Sequence, residues 1–439
     1  MNCRVEIPNV IDCEVTLPES KSIMARALTI NALTNGELTE ARQCPPSCCR
    51  AQWGAATAHC DDISILTRAL TSDSDHINVE GAGTAMRFLT AYFACQDGRT
   101  VTLDGSDRMR QRPIAPLVDA LRQMGASIDY LGNEGFPPLR IAGGKLHGGH
   151  IRMRGDVSSQ FISAVLMISP AVGGIILELE EEIVSRPYID MTLALMRHYG
   201  VDAMWANGAC QIVVPAGHYI ANHLEIEGDW SAASYWFALK ALLPQSRIVL
   251  SPLHAQSIQG DRAIVEMMAP LGVEAQFLED SVVILPPTPS MLEGELDLAA
   301  PANKTGIVTT LGSYERDMAS TPDLVPTLAV TLCLLKAPFT LSGVRNLRIK
   351  ESDRVKALTV ELAKLGYTIE SDENTMRYNG NHSEPGGDIT IDPHDDHRIA
   401  MAMSLAATRH PGITIKNAEV VTKSYPDFFS QILKTDNQQ

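Results

Sequence analysis

The chain lacks an excess of positive charge, an unbroken apolar run of membrane-spanning length and a dense cysteine framework. With 36 Lys and Arg against 52 Asp and Glu, its formal charge of −16 leaves no basic field of the kind a nucleic-acid binder needs. The uncharged stretch 161–177 is interrupted by Pro170, Gly173 and Gly174. It falls short of the ~20 apolar residues of a membrane span and reads as a short buried helix followed by a strand. Nine cysteines are scattered except for Cys44, Cys48, Cys49 and Cys60. Residues 1–10 carry Arg4, Glu6 and Pro8 and no apolar core, so no secretory leader is expected. Reduced thiols in a cytoplasmic protein are the corresponding expectation. The cysteines at 44–60 with His59 match no common zinc spacing, and no metal is expected there.

What is present is an ordinary globular composition, 45% apolar and 20% charged, over 439 residues, with room for two or three domains. One unit recurs along it: an apolar helix, a glycine, then a strand. The glycine is Gly125 in the copy at 117–128, Gly200 at 193–203, Gly272 at 264–275 and Gly366 at 359–369. A glycine just past a helix supplies the left-handed backbone that ends it. Apolar residues three and four apart give each helix one buried face. Two copies fall in each half of the chain, which predicts a repeated α/β unit and two similar lobes.

Charge is most crowded at 345–354, where Arg345, Arg348, Lys350 and Arg354 stand with Asn346, Glu351 and Asp353, directly before an amphipathic helix predicted over 355–365. A helix start presents unpaired N–H groups and a positive dipole end, so cations gathered there oppose the dipole unless an anion lies among them. Lys350 and Arg354, one turn apart, can face one point with Glu351 beside them as an acid or base. Four other predicted helices begin in a similar way. Residues 19–22 with Lys21, Ser22 and Arg26 precede 23–33, and 81–84 with Gly83, Thr84 and Arg87 lead into 85–94. Ser158, Ser159 and Gln160 precede 161–168, and Asp396, His397 and Arg398 precede 399–407. Ordinary N-capping by Ser, Thr or Asp accounts for any one of these. It does not account for Lys or Arg at the start of four of the five. Brought together, such starts would hold a small ligand carrying several negative charges. On the residues alone, the reading is a two-lobed α/β enzyme acting on anionic small molecules.

The segments Ser20-Lys21-Ser22 with Arg26, Gly83-Thr84 with Arg87, Arg108 to Arg112, Ser158-Ser159-Gln160, and Ser185 with Tyr188 are followed by Glu227 to Tyr235 and Pro322-Asp323. Asn346 to Arg354, Asp396-His397-Arg398 and Lys423 with Asp427 complete the series. In this order they resemble the EPSP synthase family of enolpyruvyl transferases. The resemblance implies a two-lobed inside-out α/β barrel, each lobe of three βαβαββ repeats, with the active site in the interlobe cleft. The N-terminal lobe would span 19–226, on the 3-phosphoshikimate side, and the other would join 1–18 to 227–439. The implied reaction moves the enolpyruvyl group of phosphoenolpyruvate to the 5-hydroxyl of 3-phosphoshikimate and releases phosphate, with no metal or organic cofactor and no nucleic-acid or membrane partner, in a monomer. By motif match Asp323 would be the base toward the hydroxyl, Glu351 the proton donor to the methylene carbon, and Lys21 would touch both substrates. Ser22, Arg26, Ser158, Ser159, Gln160, Ser185, Asn346 and Lys350 would hold 3-phosphoshikimate, with Tyr188 lining its pocket. Gly83, Arg112, Arg354, Arg398 and Lys423, with Gln160, would hold phosphoenolpyruvate, and His397 would contact a substrate or serve as a structural histidine.

Departures from the family pattern are Gly81, where the family usually has Asn, Phe88, where it often has Pro, and the atypical segments 37–60 and 290–319. The rival readings are the sister enzyme that uses UDP-N-acetylglucosamine and a non-catalytic binder of phosphorylated metabolites. The sister enzyme typically places a catalytic cysteine near 107–112, where this chain has Asp107, Arg108, Met109, Arg110, Gln111 and Arg112. Because cations from both lobes must meet one ligand set, the chain is expected to close on 3-phosphoshikimate. Solution scattering should then show compaction on adding that ligand, and an unchanged radius of gyration would contradict the expectation.

Overall fold

The computed structural model describes residues 1–34, 60–285 and 313–433. Cys44, Cys48, Cys49, His59 and the segments 37–59 and 290–312 lie outside the described residues. The chain folds as two compact units, Met1–Glu19 with Glu227–Gln439, and Ser20–Ile226.

Strands β1 (Cys3–Val5) and β2 (Asp12–Thr16) belong to the first of these units. The Ser20–Ile226 unit follows with helices α1 (Lys21–Thr34) and α2 (Asp61–Leu70). Next come β3 (His76–Asn78), α3 (Gly83–Ala94), β4 (Thr100–Asp104), α4 (Ala115–Gln123), β5 (Ser127–Tyr130) and β6 (Leu139–Ala142). The pattern repeats as β7 (Gly149–Arg154), α5 (Ser159–Ile168), β8 (Ile175–Glu180), α6 (Arg186–His198), β9 (Met204–Ala206) and β10 (Gln211–Val214). Each βαβαββ run makes one four-stranded sheet, in the orders β3-β4-β6-β5 and β7-β8-β10-β9. Its first two strands are parallel, as a helical crossover requires, and the remaining pairs are antiparallel.

The other unit holds two more sheets of this kind. One is built from β2 together with α7 (Trp230–Leu242), β11 (Arg247–Ser251), α8 (Ile264–Met268), β12 (Ala275–Phe277) and β13 (Val282–Ile284). Here β2 and β11 are parallel, so the first strand of the repeat is supplied from before the Ser20–Ile226 unit. The other sheet contains β14 (Tyr314–Asp317), α9 (Val325–Leu334), β15 (Phe339–Ser342), α10 (Arg354–Lys364), β16 (Tyr367–Ser371) and β17 (Thr375–His382). A three-stranded sheet joins β1 to β18 (Thr390–Ile391) and β19 (Ile413–Ile415), with α11 (His397–Ser404) between the last two, and α12 (Phe428–Leu433) ends the described chain. The repeated α/β unit predicted from the glycines is thus present, and Gly125, Gly200, Gly272 and Gly366 all have positive φ.

The first helix of each repeat is buried on nearly every side and the second is amphipathic, which sorts them by position. All ten residues of α9 are buried, as are all eight of α11. In contrast, α6 and α10 bury a single face each. The stretch 161–177 folds as expected into the end of α5, a turn with left-handed Gly173 and Gly174, and the start of β8. Among the described residues no helix is long and apolar enough to cross a membrane. Helices α1, α3, α5 and α11 start two residues earlier than the apolar pattern indicates, at Lys21, Gly83, Ser159 and His397. Apolar periodicity marks only the apolar part of a helix, so the small or polar residues expected in front of it form its first turn.

One buried cation lies apart from these helix starts. Lys240 of α7 is 1% exposed, and its ammonium donates to the carbonyls of Pro244 and Ser246. Burial pushes it down to about 8. Below that pH a charge is held out of water at a cost that the unfolded chain, with a lysine of pKa ~10.4, does not bear. The cost fades as pH rises from about 8 toward ~10.4. Relative to Lys240→Met, the wild-type chain should therefore gain stability between about pH 7.5 and about pH 9.5, by at most about 1.4 kcal/mol per pH unit. Urea midpoints of both proteins at the two pH values check this, and a gap indifferent to pH would contradict it.

Candidate active site

In the unit of Met1–Glu19 with Glu227–Gln439, charged side chains collect around the first residue of α10. Asp353 caps that helix by accepting the N–H of Lys356 at 3.0 Å, which leaves Arg354 at the first helical position, 2% exposed. A guanidinium so placed needs anions, since neither water nor the positive helix end stabilises it. It donates from Nη1 to Asp323 Oδ1 at 2.9 Å, from Nη2 to Glu351 Oε2, and from Nε to Asp396 Oδ2 at 2.7 Å. Arg398 Nη2 donates to Asp323 Oδ2 at 2.8 Å, and Lys350 Nζ stands 3.9 Å from Asp323 Oδ1. Lys423 Nζ is 3.9 Å from Glu351 Oε1. Burial alone would raise the Asp323 carboxyl, but Arg398, Lys350 and Arg354 together hold it well below the usual carboxylate range. Burial likewise works against the charge on Arg354, and Asp396, Glu351 and Asp323 more than restore it.

Each of these groups is placed by an element end. Asp323 lies in the turn Pro322–Leu324 that opens α9, and Asn346 sits half-buried in the turn Arg345–Ile349 before α10. Asp396 is the N-cap of α11, accepting the N–H of Arg398 at 3.0 Å, and is fully buried. Before it, His394 and Asp395 take consecutive left-handed conformations, with φ of 53° and 55°. Such a backbone persists only where its surroundings over-determine it. Glu361 of α10, 1% exposed, supplies that restraint: it accepts the N–H of Asp392 at 3.0 Å and meets His394 Nε2 at 3.0 Å. One helix thus carries Arg354 at its start and, two turns on, the residue that anchors the loop bearing Asp396, His397 and Arg398. Glu351, Asp396 and His397 offer ligand atoms within 4.8 Å of one another, the one such group among the described residues. Arg354 already bridges the two carboxylates, so a divalent cation there would have to displace or face a buried guanidinium.

The Ser20–Ile226 unit holds a second collection. Lys21 Nζ donates to Asp62 Oδ2 at 3.0 Å, and Asp62, in the first turn of α2, is buried. Arg26, 2% exposed, donates to Thr192 Oγ1 at 2.7 Å, Ser22 O at 2.8 Å, Ser163 Oγ at 3.1 Å and Tyr188 O at 3.2 Å. All four acceptors are neutral, so the guanidinium is hydrogen-bonded but its charge is not cancelled by them. Its carbon lies 5.5 Å from the centroid of the Phe88 ring, which gives that departure from the family pattern a packing role. Burial pulls Arg26 down to about 10, still charged at neutral pH.

Gln160 donates to Thr84 Oγ1 at 3.0 Å, and Ser158 caps α5 beside buried Ser159. Ser185, at φ 54°, begins α6 next to Tyr188. Gly83 lies flat against the buried Arg112 guanidinium: a Cβ there would stand 2.7 Å from Nη1 and 2.9 Å from Nη2.

Within each unit, therefore, most of the residues singled out from sequence group at helix starts, while Arg112, Lys350 and Lys423 stand at the ends of short turns. Sequence reasoning passed over Asp62, Glu361 and Asp261. Asp62 had a usable signal, the Asp61-Asp62 pair ahead of an apolar helix. Glu361 had none, because a carboxylate on an amphipathic helix normally faces solvent.

A model of the EPSP synthase (3-phosphoshikimate 1-carboxyvinyltransferase) family matches residues 5–432. A protein of Bacteroides fragilis (strain YCH46) named 3-phosphoshikimate 1-carboxyvinyltransferase is 39% identical over 436 residues, covering 99% of this chain and 98% of its own. One of the same name from Shewanella denitrificans is 34% identical, over 97% and 96% of the two chains. An Acinetobacter baumannii EPSP synthase structure superposes with a TM-score of 0.69 at 20% identity, over 98% of each chain, which shows the shared two-lobed α/β fold. With matches that run the length of the chain, and with helix starts that carry the predicted cations, the chain belongs to the EPSP synthase (3-phosphoshikimate 1-carboxyvinyltransferase) family.

Proposed function

We propose that the chain transfers the enolpyruvyl group of phosphoenolpyruvate to the 5-hydroxyl of 3-phosphoshikimate, releasing phosphate. Family membership supports this, and one observation carries the chemistry: the two carboxylates that the reaction needs, Asp323 and Glu351, are held by the two terminal nitrogens of a single guanidinium, Arg354. Asp323 takes the proton of the 5-hydroxyl, and Glu351 gives one to the methylene carbon. When the tetrahedral adduct collapses, the same groups act in the reverse sense.

A carboxylate held this low by three cations is a weak base. An incoming phosphate or carboxylate competes for Arg354, Arg398 and Lys423, and drawing them away raises the proton affinity of Asp323 and Glu351 together. Substrate binding would thus switch on both catalytic groups. Arg112, Arg354, Arg398 and Lys423 are assigned to phosphoenolpyruvate, with Gly83 and Gln160. Arg26 and Lys350 are assigned to 3-phosphoshikimate, with Ser22, Ser158, Ser159, Gln160, Ser185, Tyr188 and Asn346, in the Ser20–Ile226 unit and in the turn before α10. Lys21 serves both substrates. Planar guanidiniums suit this work because each can bind two oxygens and fix their orientation. His397 contacts a substrate or positions its neighbours. A monomeric cytoplasmic enzyme completes the reading.

Phosphate release from phosphoenolpyruvate should occur with 3-phosphoshikimate as acceptor and not with UDP-N-acetylglucosamine. Turnover only with the sugar nucleotide would assign the chain to the sister reaction, and turnover with neither would leave a binder. Asp323→Asn should lower kcat by about 10²- to 10⁴-fold, the usual worth of a general base, with a smaller change in KM. Gly83→Ala should raise the KM for phosphoenolpyruvate by pushing Arg112 aside, and leave that for 3-phosphoshikimate nearly unchanged; equal effects on both would argue against the assignment of Arg112.

A further inference from the structure

Asp261 lies in the turn Gly260–Ala263 between β11 and α8, 3% exposed, and none of the roles above uses it. Its Oδ2 accepts the hydroxyl of Ser231, in the first turn of α7. Ser231 Oγ in turn lies 3.4 Å from Arg398 Nη2, the nitrogen that donates to Asp323 Oδ2 at 2.8 Å. The Ser231 backbone is pinned by the helix cap, its N–H donating to Asp229 Oδ1 at 2.8 Å. Four groups therefore form one line: Asp261, Ser231, Arg398, Asp323.

The polarity of that line depends on the charge of Asp261. A serine hydroxyl has one hydrogen and two lone pairs, and an ionised carboxylate only accepts. With Asp261 ionised, the Ser231 hydrogen points to it and the oxygen lone pairs are left for the N–H of Arg398. A protonated Asp261 can donate to Ser231 instead, which turns the hydroxyl hydrogen away from the carboxyl and weakens the serine as an acceptor for Arg398.

We propose that Asp261 is a positioning residue for enolpyruvyl transfer, orienting Arg398 through the Ser231 hydroxyl. The proposal rests on the reading of Arg398 as a phosphoenolpyruvate ligand. The charged groups facing Asp261 are Asp323 from the turn before α9, Arg398 from α11 and Asp229 from the cap of α7. Arg262, on its own turn, is directed over the Phe277 ring at 5.1 Å. Burial first, then Asp323, pushes the Asp261 carboxyl up to about 6, against Arg398 and the Ser231 hydrogen bond. The sign follows: above about pH 6 the carboxylate is ionised and the line is set, and below it the alignment is lost.

The test is the pH dependence of kcat and of both KM values for the wild type, Asp261→Asn and Ser231→Ala, with folding checked by circular dichroism. At about pH 8, Asp261→Asn should raise the KM for phosphoenolpyruvate about tenfold, the worth of one charge-assisted hydrogen bond, and leave that for 3-phosphoshikimate within about twofold. The wild type should lose kcat/KM for phosphoenolpyruvate as pH falls through about 6, with an ionisation that Asp261→Asn lacks. Ser231→Ala should reproduce both effects, and it decides the matter if Asp261→Asn does not fold. Folded variants with wild-type KM and an unaltered acid limb would overturn the proposal. So would losses shared equally between the two substrates with no change of pH profile. A wild-type chain inactive with 3-phosphoshikimate would overturn the functional reading itself, before any variant is compared.

Discussion

A guanidinium that is 2% exposed must be answered by carboxylates, and the arrangement of the candidate catalytic residues follows from how Arg354 is answered. Its three carboxylate partners come from three places: Asp323 in the turn that opens α9, Glu351 three positions ahead of Arg354, and Asp396 at the cap of α11. Each helix start is thereby tied to the others through one side chain. Leaving one of these charges buried without its partner costs about 3–5 kcal/mol, so the group holds as a unit. Asp396 shows the economy of the scheme: one carboxylate caps α11, binds Arg354 and accepts the hydroxyl of Ser352 at 3.1 Å.

The same constraint explains why the group is suited to anions. Lys350, Arg354, Arg398 and Lys423 stand with Asp323, Glu351 and Asp396, and all of these side chains are less than a quarter exposed. At low dielectric such charges interact strongly, and an arriving phosphate finds partners already oriented toward negative charge. In the Ser20–Ile226 unit Arg26 has the same character by a different route, held by hydroxyls and carbonyls that align it without neutralising it. Both collections stand out against a chain of net charge −16, whose overall field does not favour anions.

Much of this was legible in the amino-acid order. The apolar helices α5 and α11, the glycines that end four others and the crowding of charge at 345–354 could all be read locally. The crowding was partly misleading, however. Asp353 proves to be the cap of α10, Arg348 pairs with it at 3.5 Å and donates to Asp372 O, and Arg345 pairs with Glu373 at 3.2 Å. Arg345, Arg348 and Asp353 therefore brace the helix entry, while Lys350 and Arg354 face Asp323 and Glu351 binds Arg354. Nothing in the spacing distinguishes the two sets, because both alternate along a turn whose direction is set by its packing.

Sequence alone determined the elements, the repeat and which residue types stand at the helix starts, since these follow from periodicity, glycine placement and motif order along the chain. Tertiary structure alone decided which charges meet. Glu361 reaches back to His394 across 33 positions, Arg354 to Asp396 across 42 and Arg398 to Ser231 across 167. Such pairings depend on how buried helices pack side by side, and packing is a property of surfaces brought together that no local pattern encodes. Asp261 illustrates the limit. In the sequence it is one acidic residue in a turn, and only burial beside Ser231 and Arg398 gives its charge something to control.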